Sequence, residues 1–144
     1  MSKQLQVLLT VNYAIFISAG ALLLSGCSVA QDRHDAQDAA ARIHSKFSHG
    51  DFSSIYREAT PHFKQLDEKN FVSLMEQMRL QYGVEHKATL LAYQTGPDSD
   101  IGRSYVIISD LEFEKGRARE RIVLVRAENG QMRLWDLIIE PKPQ

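Results

Sequence analysis

The sequence predicts an α+β fold in which three N-terminal helices pack on a curved four-stranded antiparallel meander. Three observations predict it. Between Ala36 and Tyr82 the apolar residues recur at helical spacing. Beyond Gly83 their period changes to two, as in strands that bury one face. Two turn-forming pairs, Lys115-Gly116 and Asn129-Gly130, then cut the second half into segments of hairpin length.

A different kind of segment precedes these elements. From Gln4 to Gln31 no side chain is charged, while Lys3 and the terminal amine put positive charge ahead of the apolar run. That is the order of a secretory signal. The run also reaches the length of a membrane span, about 20 mostly apolar residues, so an uncleaved anchor is the competing reading. Leu24-Ser25-Gly26-Cys27 at its end resembles the lipobox of bacterial lipoproteins. The resemblance implies cleavage between Gly26 and Cys27 and lipidation of Cys27. A thiol is the nucleophile that accepts a diacylglyceryl group, and small neighbours such as Ser25 and Gly26 admit a membrane protease. Each buried methylene of an acyl chain adds about 0.8 kcal/mol and stable anchoring takes two signals, a condition that several chains meet. Ser28 stands where an aspartate would, by resemblance to enterobacterial sorting, retain the protein in the inner membrane. The expected location is therefore the cell envelope, lipid-anchored, at the outer membrane facing the periplasm.

The expected organisation is a signal peptide over 1–26, a lipidated N-terminus and short linker over 27–35, and one domain over 36–144. Removing 1–26 takes away only Lys3 among charged residues and leaves 118 residues with 16 basic and 18 acidic side chains. That size suits one domain, and the balance suggests no nucleic-acid partner. Cys27 is the only cysteine, so once it carries lipid no disulfide is possible.

The first helix is expected to carry Ala36, Ala40, Ile43 and Phe47 on one stripe, with Gly50 as its stop. Asp51 is placed to cap a short second helix with Phe52, Ile55, Tyr56 and Ala59, ended by Thr60-Pro61. Asp67 or a neighbour caps the third, whose stripe is Phe71, Leu74, Met75, Met78 and Tyr82, closed by Gly83. Strands are then expected over Val84 to Gln94, Arg103 to Glu114, Arg117 to Ala127 and Gln131 to Glu140, with a loop over Thr95 to Gly102.

Taking Lys115-Gly116 as a two-residue turn sets Glu114 opposite Arg117, Glu112 opposite Arg119 and Asp110 opposite Arg121, a ladder of opposite charges. Taking Asn129-Gly130 the same way sets Trp135 opposite Leu124, Leu137 opposite Ile122 and Ile139 opposite Glu120. The face toward the helices then carries Ile107, Leu111, Phe113, Ile122, Leu124, Trp135, Leu137 and Ile139. The outward face carries Val106, Ile108, Val123, Val125, Leu134 and Ile138, an apolar patch for which a second subunit is the simplest cover.

Helices followed by strands ending LEFEKGRARERIVLVRAENGQMRLWDLII resemble small nuclear transport factor 2-like domains. The resemblance runs from about Ala36 to Ile139. It is closest at Phe113-Glu114-Lys115-Gly116 and from Asn129 to Leu134, with Met132 where bacterial members commonly carry tryptophan. It implies a cone-shaped domain with a pocket at the wide end. Members include ketosteroid isomerase-like enzymes, dehydratases and many non-catalytic modules, and a fold alone does not choose among them.

Candidate chemistry is sparse. Glu120 is the one carboxylate expected on the inner face, with Ser109 beside it and Tyr105 nearer the sheet end. It is either a general base with a raised pKa or the partner of a helix cation such as Arg42, Lys46 or Arg79, the preferred reading. Arg126 and Arg133 are expected face to face, which calls for an anion between them or for a different turn. His34, His44, His49, His62 and His86 lack ligand spacing and are read as solvated or capping, so no metal and no cofactor is expected. Asp136 is read as an interface or edge residue. The reading is a membrane-anchored, non-catalytic binding or accessory module whose partner is an envelope protein or a small ligand. An isomerase or dehydratase using a pocket carboxylate, and a structural part of an envelope complex, are the alternatives.

Overall fold

The computed structural model describes residues 28–99 and 102–142. The signal segment, Gly26 and Cys27 lie outside the described residues. The described residues from Asp35 onward form one compact unit, and the described residues before Asp35 belong to another.

Helix α1 covers residues 28–49, so the stretch expected as a linker is helical from Ser28 onward. No Gly or Pro occurs between Ser28 and His49, and nothing in the local sequence stops a helix there. α2 spans Phe52–Glu58, and its Asp51 cap accepts the Ser54 N–H at 3.3 Å. A single 3-10 turn, Phe63–Gln65, leads to α3, Glu68–Tyr82, whose Asp67 cap accepts the Asn70 N–H at 3.1 Å. Both caps fall where the sequence places them.

Four antiparallel strands follow in the order β1-β2-β3-β4: Glu85–Ser99, Gly102–Phe113, Gly116–Arg126 and Met132–Pro141. β1 is longer than expected because Thr95 to Ser99, read as loop, continues to pair with β2 through an irregular stretch. Three such irregularities interrupt β1, an edge strand, and bulges of this kind blunt an exposed edge.

The β2–β3 hairpin is shifted by two residues from expectation. Its turn is Glu114-Lys115, which sets Glu112 opposite Arg117, Asp110 opposite Arg119 and Ile108 opposite Arg121. Gly116 is not the turn residue. A Cβ there would stand 2.9 Å from Cδ1 of Tyr82, so the glycine permits α3 to approach the hairpin. An even shift preserves which residues share a face, and the charge ladder survives with new partners. Asp110 accepts from Arg119 at 3.1 Å and Lys142 at 2.6 Å, and Lys87 pairs with Glu112 at 3.5 Å. Glu114 instead accepts the Val84 N–H at 3.2 Å.

The β3–β4 turn has three residues, 128–130, closed by the Ala127 N–H donating to Gln131 O at 2.8 Å, with Gly130 at φ 80°. That is the three-residue hairpin loop ending in a left-handed residue. Near the turn it moves the pairing by one residue, putting Leu134 opposite Leu124 and Arg133 opposite Val125. A bulge at Trp135 restores the expected register beyond, with Leu137 opposite Ile122 and Ile139 opposite Glu120. Two corrections follow. Leu134 belongs to the core rather than to the outward face, and Arg126 and Arg133 do not oppose each other, Arg126 facing Met132.

The core lies between the helices and the inner sheet face. Ala36, Ala40 and Phe47 of α1, Phe52 and Ile55 of α2, and Phe71 and Met75 of α3 meet Ile107, Leu111, Ile122, Leu124 and Leu134. Phe47 lies edge-on to Phe52 with ring centres 5.2 Å apart and to Phe113 at 6.2 Å. Leu74, expected in the α3 stripe, is 57% exposed. It sits on the flank of α3 toward β4, an edge strand, and among the described residues no further strand covers it. On the outward face Val123 and Val125 are each only 4% exposed within the single chain, while Ile138 is 41% exposed.

Candidate functional site

Glu120, at the middle of β3, is 2% exposed, and its neighbours across the sheet are Ser109 and Ile139. Its partner is not Arg42, Lys46 or Arg79 but His44. Nε2 of His44 lies 3.1 Å from Glu120 Oε2, and Nδ1 lies 3.1 Å from Oε1 of Glu85, the first residue of β1. One imidazole thus bridges two buried carboxyl groups from β1 and β3, the strands on either side of β2. The contact with Glu120 pairs charges without an aligned hydrogen bond, since Oε2 has no hydrogen-bonding donor among the described residues. Ser48 Oγ, one turn along α1, donates to Glu85 O at 3.4 Å and ties the helix to the start of β1.

Burial opposes charge on the His44 ring. The contacts with Glu120 and Glu85 outweigh that penalty, raising its pKa from 6.5 to about 10. At neutral pH the group is an imidazolium held between two acids. Each ring nitrogen faces a different carboxyl group, so the three side chains do not converge on a point where an ion would sit, and no metal-ligand cluster occurs among the described residues.

The other expected site residues divide into two groups. Tyr105 and Ser109 are buried on the inner face, Tyr105 with its ring stacked on Tyr93 at 6.4 Å between centres. Arg126 pairs with Asp35 at 2.9 Å and donates to Gly130 O at 2.6 Å. Arg133 donates to the carbonyls of Glu58 at 3.0 Å and Ala59 at 2.7 Å, where it closes the end of α2. Neither arginine calls for an anion between them. Lys46 pairs with Glu58. Asp136 sits opposite Val123 and pairs with Arg121 at 3.5 Å.

Besides a cleft of about 470 Å³ beside Gly83 and Glu114, two further clefts open on the domain. One, of about 810 Å³, lies between α1, α2 and the β3–β4 turn and is walled by charged groups including Arg42, Lys46, Arg57 and Arg133. The other, of about 480 Å³, lies between α3 and β4 and is apolar, with Phe71, Met75 and Met78 facing Trp135, Leu137 and Ile139. His44, Glu85 and Glu120 line neither.

Sequence reasoning placed Glu120 but missed His44 and Glu85. The signal for His44 was present, because it follows Ala40 by four residues on the same stripe as Ala36 and Phe47. A polar residue in the middle of a buried stripe requires a partner. Glu85 had a weaker signal, its place at the start of a strand.

No family model, no curated protein and no solved structure matches this chain. Among the described residues, no helix is long and apolar enough to cross a membrane.

Proposed function

We propose that the chain is a lipid-anchored protein of the cell envelope, held at the outer membrane through Cys27, whose domain is a non-catalytic binding or accessory module of the nuclear transport factor 2-like class. One observation carries the non-catalytic reading: His44 consumes Glu120 and Glu85 inside the core, away from both clefts. A general base has to reach the proton it removes, directly or through one water. A carboxylate that is buried and paired with a cation is better suited to holding α1 on the sheet. The clefts, by contrast, are open to solvent, which suits binding.

The anchoring part is tested at the N-terminus. Mass spectrometry of the protein from its host is expected to find a mature chain beginning at Cys27 with acyl mass added, and Cys27→Ala to accumulate as an unprocessed precursor. An unmodified chain beginning at Met1 in the membrane refutes it. The binding part is tested by native mass spectrometry of the same material, which is expected to show a retained ligand or protein partner. Consumption of a small-molecule substrate that is lost in Glu120→Gln, with folding intact, refutes it in favour of an enzyme.

A further inference from the structure

We infer that the cleft between α1, α2 and the β3–β4 turn binds the phosphate of an organic phosphate monoester, with Arg42, Arg57 and Arg133 as its cationic wall. This rests on the binding-module reading and names its ligand class. The cleft volume, about 810 Å³, is within the usual range for small-molecule sites. Four cations and three carboxylates line it, a net positive charge on a chain whose formal net charge is −1.

The carboxylates are engaged within the protein. Asp35 holds Arg126 at 2.9 Å, Glu58 pairs with Lys46, and Asp38 is not free. The three arginines are held differently. Arg133 donates from Nε to Glu58 O at 3.0 Å and from Nη2 to Ala59 O at 2.7 Å, so neutral carbonyls fix the guanidinium plane without cancelling its charge. Arg57 donates to the Ser54 hydroxyl at 2.9 Å, again a neutral partner. Arg42 is exposed on α1 one turn before Lys46, and its side chain bonds to no described residue. Like charges that line one cleft raise its potential and favour an anion there.

Charge and shape together select the ligand. The planar fork of an arginine donates paired hydrogen bonds to a carboxylate or a phosphate. A phosphate monoester carries a charge of about −1.5 to −2 at pH 7 and three strong acceptor oxygens, enough to serve three guanidinium groups. A carboxylate offers one charge and two oxygens. The cleft also has an apolar floor, formed by Ala39, Ile55, Met132 and Leu134, all buried. Inorganic phosphate would leave that floor uncovered, whereas the organic body of an ester lies against it.

The full chain, anchored in phosphatidylcholine nanodiscs, would be titrated with para-fluorophenyl phosphate and read by fluorine NMR. Para-fluorobenzoate serves as the singly charged analogue and para-fluorophenol as the ring alone. Saturable binding is expected for the phosphate ester, weaker binding for the benzoate and the weakest for the phenol. Arg42→Gln and Arg57→Gln are each expected to weaken the ester about fivefold, the upper end for one exposed ion pair, at an unchanged melting temperature. Arg117→Gln removes the same charge from the β3 ladder, outside the cleft, and is expected to leave binding unchanged. An ester that does not saturate, a benzoate or phenol that binds as tightly, or equal losses from Arg117→Gln and Arg42→Gln overturn the inference. Phosphatidic acid added to the discs separates two sources of the same chemistry. Loss of ester binding there, but not with phosphatidylglycerol at equal surface charge, assigns the site to a lipid head group, and retained binding in both assigns it to a soluble ester. Release of para-fluorophenol that Arg42→Gln slows would uphold the phosphate site and refute the non-catalytic reading. If the ester fails while native mass spectrometry finds another retained ligand, the ligand class is wrong and the binding-module reading stands.

Discussion

Replacing His44 by alanine is expected to destabilise the fold by about 3 to 5 kcal/mol, the range for removing one partner of a buried ion pair. The size follows from what would remain. Glu85 and Glu120 are both buried, and His44 is the cation between them, 3.1 Å from each. Without it two carboxyl groups would share an interior site with no compensating charge. Urea unfolding of the full chain measures the loss. Replacing all three residues by leucine is expected to recover much of it, because an apolar core of similar volume needs no pairing. A His44→Ala chain within about 1 kcal/mol of wild type, well short of the cost of an unpaired buried charge, would mean that the three groups are solvated in solution.

The same cluster sets a pH dependence of known direction. Its pKa of about 10 in the folded chain lies above the 6.5 of a free imidazole, so the native state binds the proton more tightly than the unfolded state does. The stabilisation is complete below pH 6.5, shrinks as pH rises, and is gone once pH passes about 10. Wild-type stability is therefore expected to fall across that alkaline window, and the His44→Ala chain to lose that part of the fall. Equal slopes for the two chains between pH 7 and pH 10 would place the imidazole elsewhere.

How far the sequence reveals this arrangement depends on which residues carry two signals at once. Asp51 and Asp67 were legible as caps because a short acceptor directly precedes a helical stripe in both places. The faces of β2 and β3 were legible because alternation alone sets them, and a two-residue slip leaves them unchanged. The slip itself came from reading Gly116 as a turn residue when its role is to leave room for Tyr82, a contact between residues 34 apart that no local pattern reveals. On β4 a three-residue turn and the Trp135 bulge offset each other by one residue each. The pairs beyond the bulge were therefore right and those before it wrong, which misplaced Leu134 and created the apparent clash of Arg126 with Arg133. Of the buried cluster, Glu120 was visible as a charge on an apolar face. His44 was overlooked because an isolated histidine was judged by ligand spacing rather than by its place on the stripe. The cleft at α3 was hidden for a related reason, since a periodic stripe identifies the apolar side of a helix but not whether the sheet is wide enough to cover it.

Leu124→Ala is expected to cost about 2 to 5 kcal/mol, whereas Leu74→Ala should stay within about 0.5 kcal/mol of wild type, as surface substitutions usually do. From periodicity alone the two leucines look alike, each in an apolar stripe of its element. In the fold they differ as much as two leucines can. Leu124 has no exposed surface and sits near the end of β3 with Tyr105 on one side and Leu134 on the other, so truncation leaves a cavity that two strands and the helices above would have to collapse to fill. Leu74 is 57% exposed at the mouth of the α3–β4 cleft, where water already takes the place of neighbours. Urea midpoints of the two variants measured at the same slope decide the matter. Comparable losses from both would mean that a further element covers α3 on the β4 side. The cleft would then be an interior seam of the protein and not an open site.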